Sequence, residues 1–423
     1  MTQTGCNALM KNPRTAADMD YVQDYDFLRK AVLRTTLMQP VFTGEGAVTK
    51  HAFQSKNIFH KANTEFQVRD SSYMALLNYY LRDNTYSKEY VFRNLETKDR
   101  DIAENRRFTY YLFTSGIEKR ESSVIMLLHG LNEKKWDKYL PWAKALNRLT
   151  GKAVLLFPIA FHMNRAPSDW SDVRLMKKVS RERHALFPTL EEASFANAAI
   201  SHRLQFAPHR FFLSGLQSYM DIIGIVDKIK KGKHRHIDAD ASIDVFAYSV
   251  GAFLGEILLL ADPRRYFSQS KLFMFCGGSI LSEANPVSRA ILDSAAGAAL
   301  RQYLESVAAA GSDSSLQCQS FKPYGREVRY FRSMLHPECM ASFRQSRLRQ
   351  LSGRIHALAL EKDKVFPAEG ICTTLKPVKS HRPVVECIDF PYSYTHQNPF
   401  PLHPDAVQEC FAEVFNRAAG FLS

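Results

Sequence analysis

Ile243-Asp-Val-Phe-Ala-Tyr-Ser-Val-Gly-Ala-Phe-Leu-Gly-Glu-Ile-Leu-Leu-Leu260 is the stretch whose reading decides the fold. Residues 243–248 are rich in β-branched and aromatic side chains and read as a strand. Residues 250–261 are apolar almost throughout and read as a buried helix, ended by Asp262-Pro263. One tight turn with Ser249 at its apex joins the two. A helix leaving such a turn must cross close to its strand, and Gly251 and Ala252 are small enough to allow it. The serine has two readings: a helix N-cap, or a nucleophile presented on a strand–turn–helix elbow.

The alternation continues in both directions. Ser123–Leu128 is a continuous apolar run of the kind found in a doubly covered parallel strand. Lys135–Leu149 has helical spacing, closed by Gly151, and Ala153–Phe157 is the next strand, stopped by Pro158. Helical stretches are expected at 189–204 and 211–231, strands at 272–276, 354–360 and 383–388, and a final helix at 405–421. Upstream, 89–92 and 107–113 also read as strands. The pattern predicts an α/β fold: a mostly parallel, doubly wound sheet with helices on both faces. Residues 284–350 interrupt it and read as a helical lid or cap insert. Their aromatics (Phe321, Tyr324, Tyr330, Phe331, Phe343) suit either an apolar substrate or core packing. Residues 1–85 are expected to pack on the core as an extension. The core itself is then 86–283 with 351–423.

Composition excludes several classes. The 423 residues carry a formal net charge of +13, but the basic surplus is spread along the chain. The densest run, 228–236, falls where a helix ends and a loop begins, and cations suit a helix C-terminus. No zinc finger, helix-turn-helix or aromatic-interleaved RNA motif accompanies it, so no nucleic-acid partner is expected. The seven cysteines (6, 276, 318, 339, 372, 387, 410) are scattered and odd in number, which speaks against a disulfide framework or a structural zinc site. No apolar run is long enough for a transmembrane segment, and residues 1–20 lack the apolar stretch of a signal peptide. A cytoplasmic protein with reduced thiols is the expectation.

Three further segments bear on Ser249. Leu127-Leu-His-Gly-Leu-Asn132 ends a strand in a loop whose glycine lets a main-chain N–H, from Leu131 or Asn132, face the serine. With the N–H of Val250 at the start of the helix it would form an oxyanion site. Glu361-Lys-Asp-Lys-Val-Phe-Pro367 follows the strand at 354–360 and offers Asp363, with Glu361 and Glu369 as rivals. His396, in Tyr392-Ser-Tyr-Thr-His-Gln-Asn-Pro-Phe-Pro401, lies between the last strand and the last helix, with His403 as its rival. A histidine is required because it can accept the serine proton and return it near neutral pH.

Strand–HG–helix, strand–S-x-G–helix, an acid loop and a late histidine together resemble the α/β-hydrolase superfamily over about residues 105–423. The chain departs from its pattern at Ala247, where G-x-S-x-G has its first glycine, and at Leu360, where the acid loop usually has one. The resemblance implies a serine hydrolase acting on a small-molecule ester or thioester through an acyl-enzyme, with Ser249 the nucleophile, His396 the base and Asp363 the orienting acid. It implies neither metal nor organic cofactor. A non-catalytic α/β-hydrolase-like binding protein is the alternative. His129, His162, Arg165 and Tyr248 are candidate substrate contacts by their place at the carboxyl edge of the sheet. His129 also reads as a loop histidine that orients its turn, and Arg165 as half of a buried ion pair. Ser218 reads as a helix-face serine.

Overall fold

The computed structural model describes residues 20–43, 46–56, 95, 97–309, 325–375, 384–403 and 405–423. The doubly covered strand expected at 123–128 shows how the layers arise. In β4 (Glu121–Leu128), Val124, Met126 and Leu128 point to one buried cluster, while Ile125 and Leu127 point to another. Because successive side chains face opposite ways, a strand buried on both sides has no polar alternate.

Among the described residues nine strands form one sheet: β1 (Val41–Phe42), β2 (Ala47–Gln54), β3 (Arg107–Thr114), β4, β5 (Ala153–Leu156), β6 (Ile237–Tyr248), β7 (Leu272–Phe275), β8 (Ile355–Leu360) and β9 (Val384–Ile388). Their order is β1-β2-β3-β5-β4-β6-β7-β8-β9. The first three strands pair antiparallel, with β3 antiparallel to β5. From β5 to β9 every pairing is parallel. This is the mostly parallel α/β sheet expected from the sequence.

Among the described residues the helices longer than one turn are α1 (Tyr21–Leu33), α2 (Tyr139–Thr150), α3 (Val173–Leu186), α4 (Ala198–Phe206), α5 (His209–Lys230), α6 (Val250–Ala261), α7 (Ser294–Ala309), α8 (Gly325–Ser333), α9 (Ala341–Gln350), α10 (Ala368–Thr374) and α11 (Val407–Leu422). Residues of α1, α2 and α11 fill one face of the sheet, and those of α5, α6 and α8 the other. Gly151 ends α2 in the left-handed region at φ 68°, as a C-terminal glycine does.

Several expectations need correction. Residues 189–197 are not helical, because Ser194, Asn197 and Glu192 satisfy one another locally. Ser194 N–H donates to Asn197 Oδ1 at 3.0 Å, and Asn197 Nδ2 to Glu192 O at 2.8 Å. Such side-chain bonds compete with the helical ladder. Helix α3 was not expected. Its buried seam is narrow (Met176, Val179, Ser180, Arg183), and Asp172 caps it by accepting from Leu175 N–H at 2.8 Å. Strand β2 also escapes the pattern, since AVTKHAFQ mixes polar residues into both faces. Within 284–350, Phe331 packs against Phe212 and Phe253 with ring centres at 5.3 and 6.1 Å, so this aromatic fills the α5–α6 flank. The strand read at 89–92, and Phe321 and Tyr324, lie outside the described residues.

Candidate active site

The turn after β6 takes the shape its composition anticipates. Ser249 stands at φ 59°, ψ −128°, a conformation that a side-chain-bearing residue enters only at a cost of about 1–3 kcal/mol. Crowding explains the small residues beyond it. A Cβ built on Gly251 would stand 2.6 Å from the Leu128 carbonyl oxygen and 2.8 Å from that of His129. One turn later Gly255 meets Ala247, its would-be Cβ 3.5 Å from the Ala247 methyl. The methyl that departs from G-x-S-x-G is therefore accommodated by a glycine on the facing helix.

Three side chains meet at this edge. His396 Nε2 is 2.7 Å from Ser249 Oγ, and His396 Nδ1 is 2.8 Å from Asp363 Oδ2. All three are buried. The other oxygen of Asp363 accepts the N–H groups of Val365 and Phe366, at 2.8 and 3.0 Å. Burial first, and then the charge of nearby Asp363, push the buried Cys276 thiol well above its ordinary value. A carboxylate so surrounded is fixed in orientation, with Oδ2 facing Nδ1 of the ring. Leu360 makes no glycine-like turn: β8 runs straight through it and the chain reverses at 361–362.

The histidine is held from beneath. Tyr248 OH donates to the His396 carbonyl, and the two rings stack with centres 5.4 Å apart and planes at 16°. Lys138 Nζ lies 4.8 Å from the Tyr248 ring centre, donates to Gln397 O at 2.8 Å and pairs with Glu133. Glu133 Oε1 accepts from Tyr139 OH at 2.9 Å, and that hydroxyl accepts the Gly130 N–H at 3.0 Å. The loop at 129–134 and the loop carrying His396 are thus tied through one lysine.

The HG loop lies against the serine. A Cβ on Gly130 would be 3.3 Å from Ser249 Cβ. The Gly130 N–H is engaged by Tyr139, and the next positions along the loop are Leu131 and Asn132, the latter at φ 62°. Val250 opens α6, where a first-turn N–H has no intrahelical acceptor. Asn132 Nδ2 donates to Ala196 O and Ala290 O at 2.9 and 2.7 Å. Gln397 Nε2 donates to Ser288 Oγ at 3.1 Å. The turn at 288–290 thereby touches both the HG loop and the histidine loop.

The candidate substrate contacts separate. His129 donates from Nδ1 to Gly130 O at 2.8 Å and accepts the Ile159 N–H on Nε2 at 2.9 Å, so both ring nitrogens serve the loops. Burial holds its pKa well below the ordinary histidine value, and it stays neutral. Arg165 is fully buried, pairs with Asp221 at 2.7 Å and also donates to Asn105 and Pro158 O, which is its structural reading. Tyr248 faces the underside of His396. Of these four, His162 lines a cleft: with Leu131, Asn132, Lys134 and Trp170 it borders a cavity of about 50 Å³ beside the HG loop. His403 is exposed, as are Glu361 and Glu369. Ser218 Oγ accepts the Ala160 N–H at 2.9 Å and donates to Ser214 O, tying a loop to α5.

Among the described residues no three His, Cys, Asp or Glu side chains gather as a metal site requires, and no helix is long and apolar enough to cross a membrane. Fold and site define an α/β protein with a buried Ser–His–Asp chain at the carboxyl edge of a mostly parallel sheet. The chain belongs to the family described as a family of unknown function, DUF6051, which matches residues 19–423. No curated protein matches its sequence. Solved structures similar to it include a cold-adapted esterase from an Arctic intertidal metagenomic library, at 8% identity and TM-score 0.40, covering 91% of this chain and 98% of that one. A thermostable esterase from Pseudomonas putida is 11% identical at TM-score 0.41, covering 97% and 93%. A monoacylglycerol lipase from Paleococcus ferrophilus is 10% identical at TM-score 0.36, covering 72% and 96%.

Proposed function

We propose that this protein is a serine hydrolase that cleaves a small-molecule ester or thioester through an acyl-enzyme. The observation that carries the reading is the hydrogen-bonded chain Ser249 Oγ–His396 Nε2, His396 Nδ1–Asp363 Oδ2, at 2.7 and 2.8 Å. In it, Ser249 Oγ attacks the acyl carbonyl while His396 Nε2 takes the hydroxyl proton. Asp363 keeps the proton of Nδ1 in place, so that Nε2 is the basic nitrogen, and stabilises the imidazolium that forms. The carbonyl oxygen, now negative, is stabilised by main-chain N–H groups of Leu131 or Asn132 and of Val250, which need no reorganisation as charge develops. His396 then gives the proton to the leaving alcohol or thiol. Water attacks the acyl-enzyme by the same route in reverse, releasing the acid and free Ser249.

Steady-state hydrolysis of short 4-nitrophenyl esters tests the reading. Asp363→Asn preserves the shape of the acid but favours the wrong histidine tautomer, and kcat should fall by roughly 10³–10⁴-fold. Ser249→Ala should reduce turnover at least as far. Equal turnover by wild type and both variants would remove the serine mechanism.

A further inference from the structure

The cleft beside the HG loop carries a charge pattern that the serine chemistry does not use. Its walls include Asp99, Glu133, Lys134, Arg203 and Arg210, with apolar surface from Leu131, Phe161, Trp170 and Phe211. The charges do not cancel. Asp99 is shared by two guanidinium groups: Arg203 pairs with it, and Arg210 Nε lies 3.3 Å away. Glu133 is neutralised by Lys138, which is not part of the wall. Lys134 has no carboxylate within ion-pair distance among the described residues; Glu133 acts on it only through its charge. Among the described residues the cleft therefore holds one surplus guanidinium charge and one ammonium charge.

Polar atoms without partners lie in the same walls. His162 Nδ1 donates to Ala160 O at 2.8 Å, which leaves Nε2 with a bare lone pair and no partner. Asn132 spends both amide hydrogens on carbonyls, and its Oδ1 has none. The Trp170 indole N–H is also unpaired. Buried polar atoms are normally satisfied, and these three belong to residues that border the cleft. The cations are under strain of the same kind: burial draws Lys134 down to about 8, and burial with Arg210 draws Arg203 down to about 9. The cleft begins at Leu131, one residue beyond the Gly130 that touches Ser249.

We infer that this cleft binds a carboxylate carried by the substrate, so that the preferred esters are half-esters of short dicarboxylic acids or esters of carboxylated alcohols. The inference rests on the hydrolase reading for its setting. Lys134 supplies the charge and the Trp170 N–H a donor. Phe161 and Phe211 enclose the short chain.

Matched ester pairs test it. Wild type should hydrolyse the 4-nitrophenyl half-ester of glutaric acid with kcat/KM about tenfold above 4-nitrophenyl hexanoate, or 4-carboxyphenyl butyrate about tenfold above phenyl butyrate, as one charge-assisted hydrogen bond gives. Lys134→Met should bring the ratio near one, and Lys134→Arg should keep part of it. The ratio is internal, so a general loss of activity cannot imitate the effect. The preference should hold below pH about 8 and fade above it as the Lys134 ammonium is lost. No preference in either pair, or one unchanged in Lys134→Met, overturns the inference and leaves the hydrolase reading standing. Binding is read apart from turnover by calorimetric titration of Ser249→Ala with monoethyl glutarate. Saturable binding, weakened about tenfold by adding Lys134→Met, supports the cleft even if no ester is turned over. No binding, or tighter binding of inorganic phosphate, overturns it.

Discussion

Tyr248 precedes the serine by one residue and supports a histidine 148 residues further on. Its hydroxyl bonds the His396 main chain and its ring lies flat beneath the imidazole, so its loss should loosen His396 without touching substrate. A net hydrogen bond contributes about 1 kcal/mol. Tyr248→Phe keeps the ring and should lower kcat on a short ester by about fivefold with KM little changed. A raised KM at constant kcat would instead make Tyr248 a substrate contact. Ser249, Asp363 and His396 could be singled out from the sequence because each follows a strand whose carboxyl end lies on one edge of the sheet. Tyr248, Cys276 and Lys138 could not be assigned their places. Their partners lie far away in the chain, and no local spacing encodes a thiol against Asp363 or an ammonium over Tyr248. Arg165 was legible only as a choice between two readings, which its bond to Asp221 separates.

At the scale of elements, the crossing of α6 over β4 and β6 sets the site. Gly251→Ala would drive a methyl into the carbonyl oxygens of Leu128 and His129, which belong to the main chain and cannot swing aside. We expect a stability loss of about 1–3 kcal/mol in urea denaturation, with reduced activity from displacement of the elbow. Gly420→Ala in α11, where a Cβ meets open space, should instead stabilise by up to about 1 kcal/mol. If Gly251→Ala were as stable as wild type, the close crossing would be wrong. Elements with a strong period or a continuous apolar run (β4, α6, β8) were readable. Helix α3 was hidden by its narrow buried seam. The stretch at 189–197 has helical composition, but Ser194 and Asn197 bond their neighbours' main chain instead.

Across the whole molecule, acid should weaken the antiparallel edge of the sheet. His51 on β2 stacks on Tyr110 of β3 at 5.1 Å, and His234 lies 5.2 Å from His51. Burial first, then neighbouring charge from His236, Lys228 and Arg235, lowers His51 to about 4. Burial, with His51, Lys228, His236 and Arg120, lowers His234 to about 3. The unfolded chain takes up these protons near pH 6.5, so their contribution is fully present above that pH and is lost as it falls towards 4. The urea midpoint should therefore decline between pH 6.5 and 4, and His234→Gln should flatten that decline; an unchanged slope would remove the cluster from the account. The architecture joins this edge to a centre that holds Ser249 in hydrogen-bond reach of His396. Treatment of the native protein with a fluorophosphonate, followed by peptide mass spectrometry, tests that centre most directly. The account predicts a single phosphonylated peptide carrying Ser249, absent in Ser249→Ala and strongly slowed in His396→Ala. An unmodified Ser249 in folded wild-type protein, under conditions that label a known serine hydrolase to completion, would contradict it.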